Sequence, residues 1–215
     1  MPTLPLSPDE LLTTTRAVRK RLDLERAVPM ELIRECLEVA VQAPSGSNAQ
    51  GWQWIVVTDP DLRRGIGDIY REVALNYMAK RTPPAQTYAG DPDRIAVQER
   101  IGESSLFLAE HMKDVPVLLL ACIQTGAELP AGNQAGLWGS LLPGAWSYML
   151  AARARGLGTA WTTLHLVRAA EVAALLGLPD GVHQGVLVPT AFYTGDTFKP
   201  APRAPIETVL HVNGW

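Results

Sequence analysis

The sequence is poor in cysteine, and this shortage limits the class of protein it can encode. Only two of the 215 residues are cysteines, Cys36 and Cys122, which is too few for the disulfide framework of a small secreted domain. Cys36 falls on the apolar side of a helical pattern and Cys122 ends an apolar run, positions typical of buried free thiols in a reducing compartment. The sequence by itself leaves a disulfide between them open.

Net charge and long apolar segments are also scarce. The chain carries a formal net charge of -3, with 19% charged residues, so its overall balance argues against a nucleic-acid or anionic-membrane partner. The longest apolar run, 115–123, is too short to span a bilayer. Residues 1–7 lack the basic region and apolar core of a secretory signal. We therefore expect a cytoplasmic protein with no nucleic-acid and no membrane partner.

Motifs for metal and nucleotide chemistry are missing as well. There is no His-Glu-x-x-His, no close Cys/His pairing, no P-loop and no Gly-x-Ser-x-Gly, and the four histidines are scattered, as structural histidines are. Gly156-Leu157-Gly158 lacks the third glycine of a dinucleotide turn and leads from a helix into a strand. The sequence predicts no metal site and no catalytic side chain.

What is present is an ordinary globular composition, 47% hydrophobic, with enough chain for one domain. Because no segment reads as a linker, we predict a single domain over 1–215. Helices and strands mix without strict βαβ alternation, which predicts an α+β fold with a central, largely antiparallel or mixed sheet flanked by helices. Periodicity and capping signals predict helices over 7–14, 29–43, 93–112, 134–155 and 168–176 and another from 60, with strands over 52–58, 115–122, 159–164 and 182–193.

Two further expectations concern proline. Pro143 lies inside the helix predicted over 134–155, so we expect a kink or a break there. The proline-rich stretch 82–92 is predicted to be a long loop, a kind of segment that often walls a site. The proline-rich tail from 195 is predicted to lack regular structure.

Three segments carry polar groups suited to a ligand, and each also has a simpler interpretation. Four cations crowd into Arg16–Arg21, either a solvated face or a phosphate clamp, since guanidinium forks match phosphate oxygens. Pro44–Trp52 concentrates amide side chains around Gly46, either a polar loop or a site for the edge of a heterocycle. Lys199–Pro205 places two cations on a stiffened segment that by itself reads as a surface tail.

Taken together and in this order, these segments resemble the FMN-dependent nitroreductase family. The sequence departs from the family pattern in two places, one in the basic segment Arg16–Arg21 and one in the segment Pro44–Trp52. Ala17 and Val18 stand where Arg or His and then Ser are common, and Gly51 replaces a proline. The spacing leaves open whether Arg19 or Lys20 supplies the second cation. The matching motifs are Arg16-Ala17-Val18-Arg19, the Pro-Ser-x-x-Asn-x-Gln-x-Trp run over Pro44–Trp52, the helix end and turn over Ala152–Trp161, and the Arg-x-Pro over Arg203–Pro205.

The resemblance implies an intertwined homodimer with two FMN sites, each built from both chains, and a C-terminal tail from about 195 that embraces the partner. By this resemblance, cations of the basic segment and the tail would hold the flavin phosphate, and a further cation of the basic segment would approach the pyrimidine edge. Backbone groups would face the flavin N5. A second set of residues would come from the other subunit. The implied cofactor-binding residues are Arg16, Ala17, Val18, Arg19, Lys20, Lys199 and Arg203, with Thr162, Thr163 and Leu164 near N5 and Pro44, Ser45, Gly46 and Asn48 from the other subunit.

The implied activity is ping-pong electron transfer from NADH or NADPH through FMN to a small aromatic acceptor, such as a nitroaromatic or a quinone. In such enzymes the flavin carries out the chemistry, so no catalytic acid or base is required of the protein. Three alternatives stay open: an FMN-binding or sensing protein with little turnover, a relative that fragments its flavin, and a relative that dehalogenates an aromatic. The sequence determines neither the preferred nicotinamide nor the physiological acceptor.

Overall fold

A four-stranded antiparallel sheet forms the centre of the protein, with strand order β1-β2-β4-β3. The computed structural model describes residues 3–126 and 128–215. The strands are β1 (Trp52–Val57), β2 (Val117–Gln124), β3 (Leu157–Thr159) and β4 (Val182–Phe192). The long central pair, β2 and β4, holds the sheet together and contains a register shift at Ala121/Cys122. The predicted α+β class with a largely antiparallel sheet is confirmed.

Helices cover both faces of the sheet, and most of them begin where the sequence signals predict. Ser7 and Glu10 form the reciprocal capping box of the first helix, and the Asp59 side chain accepts hydrogen bonds from two backbone N–H groups of the third, as capping residues do. The helices are α1 (Pro8–Thr14), α2 (Met30–Ala40), α3 (Pro60–Lys80), α4 (Pro84–Thr87), α5 (Pro92–His111), α6 (Ala135–Ala154) and α7 (Ala169–Leu176).

The core has two layers, one on each face of the sheet. Along β2 the side chains alternate: those of Leu119 and Ala121 enter the layer beneath α2 and α6, while those of Leu118 and Leu120 enter the layer beneath α3, α5 and α7. A strand that is buried on both faces reads as a continuous apolar run, which is why the sequence of β2 shows no polar alternation. Cys36 and Cys122 are free and lie one in each layer.

The predicted strand over 159–164 is wrong. The strand instead covers Leu157–Thr159, because Gly156 ends α6 with a positive φ of 79° and the chain enters the sheet at once. The regular ladder with β4 ends at the pair Thr159–Thr190. Ala160 still donates its N–H to the carbonyl oxygen of Pro189, but Pro189 has no N–H to return. Residues 160–163 lie outside β3, although Ala160 and Thr162 still bond to β4, and a 3-10 helix follows over Leu164–Arg168.

Several other boundaries need correction. α2 ends at Ala40 instead of reaching 43, and α6 runs unbroken past Pro143, so the break allowed for at that proline does not occur. The predicted loop over 82–92 contains the short helix α4, and the tail contains a 3-10 turn over Ile206–Thr208. None of the helices within residues 3–126 and 128–215 combines the length and apolar character that a membrane span requires.

Candidate functional site

The basic segment over 16–21 packs against the C-terminal tail and against α5. The guanidinium Nη1 of Arg16 donates to the carbonyl oxygen of Lys199 at 3.0 Å, which brings two predicted phosphate-binding residues together across 183 positions of sequence. Arg21 donates to the carbonyl oxygens of Thr194 and Thr197 and stacks on the ring of Phe198 at 4.2 Å. Tertiary contacts therefore fix the tail against the predicted clamp.

Two adjacent cavities open at this place and share Arg19. The smaller, about 270 Å³, is bordered by the basic segment, Ser104 and Phe198. The larger, about 380 Å³, reaches inward to the turn that follows β3 and is bordered by Tyr70, Tyr77 and the indole of Trp161. The larger cavity is lined by Arg19, Tyr70, Ala74, Tyr77, Met78, Arg81, Gln98, Ile101, Ser105, Leu106, Trp161, Thr162, Thr163 and Leu164.

One face of α3 forms a wall of the larger cavity. Tyr70, Ala74, Tyr77 and Arg81 recur at steps of three and four residues, so they lie on one side of the helix. Sequence reasoning missed this wall, because it identified the helix from its cap and did not follow its aromatic face. The helical spacing of two tyrosines and an arginine is the signal that points to it.

The turn after β3 lines the larger cavity with Thr162, Thr163 and Leu164. Thr162 lies too deep to offer its N–H, which already donates to the carbonyl oxygen of Leu187 at 3.0 Å. The N–H groups of Thr163 and Leu164 form no hydrogen bond within residues 3–126 and 128–215. Two adjacent free donors beside an aromatic wall can receive a heteroatom of a planar ligand.

Arg19 brings positive charge to the same space. Its guanidinium donates to Ser104 Oγ at 3.3 Å, and burial lowers the pKa of Arg19, an effect that leaves an arginine charged at neutral pH. Burial raises the pKa of Tyr70, although the nearby Arg19 charge opposes that shift. The cavity thus holds a cation and a protonated phenol, and no carboxylate is found among the described residues that line it.

The two candidates for the second cation, Arg19 and Lys20, lie in different surroundings. Arg19 borders the larger cavity together with Thr162, Thr163 and Leu164, whereas Lys20 borders only the smaller one. The Lys20 Nζ lies 3.2 Å from Glu103 Oε2 and its side chain is 52% exposed. Ala17 is exposed, and Val18 is buried with its N–H bonded to the carbonyl oxygen of Thr159. Geometry therefore favours Arg19 for the inner position.

The predicted cofactor-binding residues of 44–48 lie away from the two cavities, on the opposite face of the sheet. Gly46 donates its N–H to Ser140 Oγ of α6 at 2.9 Å, and Asn48 adopts a positive φ of 53°. This loop, including Pro44 and Ser45, borders neither cavity, and it packs on α6, across the sheet from α3 and α5. Arg203 is exposed and donates only to the neighbouring Pro202 carbonyl oxygen in the described part of the chain. One chain does not bring all the predicted residues together.

A buried histidine lies directly beyond the backbone donors. His165 is fully buried, and neither ring nitrogen has a hydrogen-bond partner among the described residues. Burial lowers the pKa of His165 to about 4, because the charged imidazolium would lose its hydration. The ring is therefore neutral at pH 7.

We expect this histidine to make stability depend on pH. The unfolded chain, with an ordinary histidine pKa near 6.5, binds the proton more readily than the folded one. Stability contributed by neutral His165 is therefore lost as the pH falls from about 6.5 to about 4, by about 3 kcal/mol. Urea unfolding at several pH values should show this loss for the wild type and a flatter curve for His165→Leu. His183→Gln, at a half-buried histidine, leaves His165 in place and is the control variant. An unchanged slope in His165→Leu would refute the assignment.

The chain belongs to the nitroreductase family, whose family model matches residues 12–191. Mouse iodotyrosine deiodinase 1 is 30% identical over 112 residues, which is 52% of this chain. The chain matches only 35% of that mouse protein's length. A protein of Thermus thermophilus named NADH dehydrogenase is 28% identical over 210 residues, covering 93% of this chain and 96% of the relative.

Solved structures support the same fold. The FMN- and NADPH-dependent nitroreductase NfnB, in its Y88F form from a Sphingopyxis strain, superimposes with a TM-score of 0.72 at 23% identity, over 98% of this chain and 100% of that one. An iodotyrosine deiodinase bound to FMN and 3-iodo-L-tyrosine gives a TM-score of 0.71 at 21% identity, over 96% and 99%. The nitroreductase-like fold expected from the motifs is confirmed.

Proposed function

We propose that this protein is an FMN-dependent oxidoreductase that takes electrons from NADH or NADPH and passes them to a nitroaromatic, a quinone or a similar conjugated acceptor. The larger cavity carries the proposal, because it combines a half-buried cation, two free backbone donors and aromatic walls. These are the groups that a planar, electron-accepting heterocycle needs from a protein.

The residues present fit FMN. Arg16 borders the smaller cavity, where its guanidinium also reaches the backbone carbonyl of Lys199, and an arginine fork is a suitable donor for a phosphate. The neighbouring larger cavity offers Arg19 and the free N–H groups of Thr163 and Leu164. In our proposal the phosphate lies at the first set and the isoalloxazine ring at the second.

FMN, when bound, supplies the hydride-accepting and electron-donating chemistry. Arg19 would stabilise the negative charge that reduced flavin carries at its N1–C2=O edge, which raises the tendency of the flavin to be reduced. The N–H groups of Thr163 and Leu164 would hold the region of N5 without exchanging a proton with it. Tyr77 and Trp161 would form the apolar wall against which nicotinamide and acceptor stack in turn.

Exposed apolar surface supports the expected homodimer. Among its 20 residues α6 carries one charged side chain, that of Arg153. Although the helix is apolar, its residue Trp146 is 37% exposed. A helix that is apolar on every side is ordinarily covered by other elements. The tail exposes Ile206, Val209, Leu210, Val212 and Trp215, each more than half accessible, as a segment that embraces a partner would. We propose that 1–215 form one domain and that the partner supplies the 44–48 loop to each site.

Spectroscopy tests the proposal directly. The purified protein should show flavin absorbance, which NADH or NADPH should bleach without oxygen, and addition of a nitroarene or a quinone should restore it. Monitoring each half-reaction separately distinguishes ping-pong transfer from a ternary mechanism. A colourless protein that does not bind added FMN would refute the proposal. Bound FMN that neither nicotinamide reduces would instead favour a binding or sensing protein.

Reductive dehalogenation is a second candidate, favoured by the similarity to iodotyrosine deiodinase 1 and by the shared fold of the structure that holds 3-iodo-L-tyrosine. Incubating the reduced protein with 3-iodo-L-tyrosine and measuring released iodide tests it. Product analysis under air, without an added acceptor, tests the remaining alternative, oxygen-dependent fragmentation of the flavin.

A further inference from the structure

The larger cavity contains a second cation, Arg81, that the proposed flavin contacts do not use. Arg81 follows the last residue of α3 and is half-buried. It borders both the larger cavity described above and a third cavity of about 490 Å³, here called the outer cavity. Its Nη2 donates to Gln98 Oε1 at 2.7 Å, a neutral partner on α5. The guanidinium carries a full positive charge, and the amide oxygen does not neutralise it.

Nearby acidic residues leave this charge uncompensated. Glu99 and Glu103 border the outer cavity beside Arg81, yet neither forms an ion pair with it within 4.0 Å in the described part of the chain. Glu103 is paired with Lys20 instead. Towards the larger cavity, Arg81 faces two tyrosines and an indole, and the described lining there holds no carboxylate.

The guanidinium lies beside Gly102 of α5. A Cβ added at Gly102 would be 3.9 Å from Arg81 Nη1 and 3.4 Å from Met78 Cε, which are ordinary van der Waals distances. The arginine therefore lies beside a residue without a side chain, at the edge of the cavity that Tyr70, Tyr77 and Trp161 line. This arrangement suits a ligand whose ring enters the cavity and whose acidic group reaches the rim.

We propose that Arg81 selects aromatic acceptors that carry a negatively charged substituent, such as a carboxylate. This inference rests on the proposed function, and it names the acceptor class of that same site. Arginine binds a carboxylate through two parallel hydrogen bonds. A cationic or zwitterionic aromatic would bring its ammonium group close to Arg81 and Arg19, with no carboxylate in the described lining of the larger cavity to receive it.

Matched nitroarenes test the inference by binding and by turnover. Without a nicotinamide, 4-nitrobenzoate, 4-nitrobenzamide and 4-nitrobenzylamine are titrated into the FMN-loaded protein, and flavin absorbance gives each Kd. The acid should bind about tenfold or more tightly than its amide, and the amine most weakly. Arg81→Gln should weaken the acid by about ten- to hundredfold and leave the amide unchanged. Arg81→Lys should restore part of the preference.

Lys80→Gln is the control, because it removes the same charge from the preceding residue, which does not line the cavity. It should keep the wild-type preference. KM for the acid and the amide under turnover should follow the Kd values, with kcat little changed. Equal affinity for acid and amide in a protein that binds FMN and oxidises NAD(P)H would overturn the inference and leave the proposed function standing. A protein without bound FMN would overturn both.

Discussion

Replacing Arg16 with alanine should raise the Kd for FMN about ten- to hundredfold, the effect of losing one charge-assisted hydrogen-bonded contact to a phosphate. Arg16 is bonded only to the backbone carbonyl of Lys199 among the described residues, so the substitution leaves no side chain unpaired. Titration of flavin-free protein with FMN, followed by fluorescence quenching, measures the change. The loss should be smaller for riboflavin, which has no phosphate.

Arg64→Ala serves as the control for that measurement. Arg64 is exposed and pairs with Asp61 on the surface of α3, so its removal should cost little and should leave FMN affinity unchanged. An Arg16→Ala variant that binds FMN as tightly as the wild type would remove Arg16 from the site. If riboflavin and FMN lost affinity equally, the arginine would act on the fold and not on the phosphate.

The second large effect is expected when two defective chains are combined. Suppose that each site takes Arg16 from one chain and Asn48 from the other. Both sites are then defective in an Arg16→Ala homodimer, and both are defective in an Asn48→Asp homodimer. A heterodimer of the two variants concentrates both defects in one site and leaves the other intact. The Asn48→Asp substitution keeps a side chain that tolerates the positive φ at this position. It replaces the amide donors with a carboxylate, whose negative charge would repel that of the reduced flavin.

Differently tagged chains, produced together and purified through both tags, measure this complementation. At FMN concentrations that leave the parent homodimers nearly empty, the heterodimer should bind half the FMN of the wild-type dimer. An Arg16→Ala chain paired with an Arg64→Ala chain provides the reference, since one site is damaged and one is intact there too. A heterodimer as empty as its parents, or a strictly monomeric protein, would contradict the shared site.

Local structure was largely predictable because its signals are local. The cap at Asp59 and the capping box at Ser7 satisfy backbone groups within three residues of themselves, so their sequence patterns carry the whole interaction. The strand at 157–159 was misplaced for the opposite reason. The ladder ends where the chain meets Pro189 on the partner strand. Proline lacks the N–H that a ladder needs, and a residue 30 positions away cannot be read from the strand's own sequence.

The candidate site divides in the same way. The cations that we propose bind a phosphate stood out as a motif, because four positive charges in six residues are costly unless something screens them. Tyr77, Arg81 and Gln98 did not stand out, since each is unremarkable in its own segment. They form a wall only when α3 and α5 pack side by side.

The sequence by itself therefore determined the family and the kind of fold, because these depend on residue types at short spacings. Only the tertiary structure decided that Arg19 and not Lys20 reaches the inner cavity, that Thr163 and Leu164 hold the free backbone donors, and that the 44–48 loop lies apart from them. Such facts depend on which distant segments meet across the sheet, and long-range packing decides that where local spacing cannot.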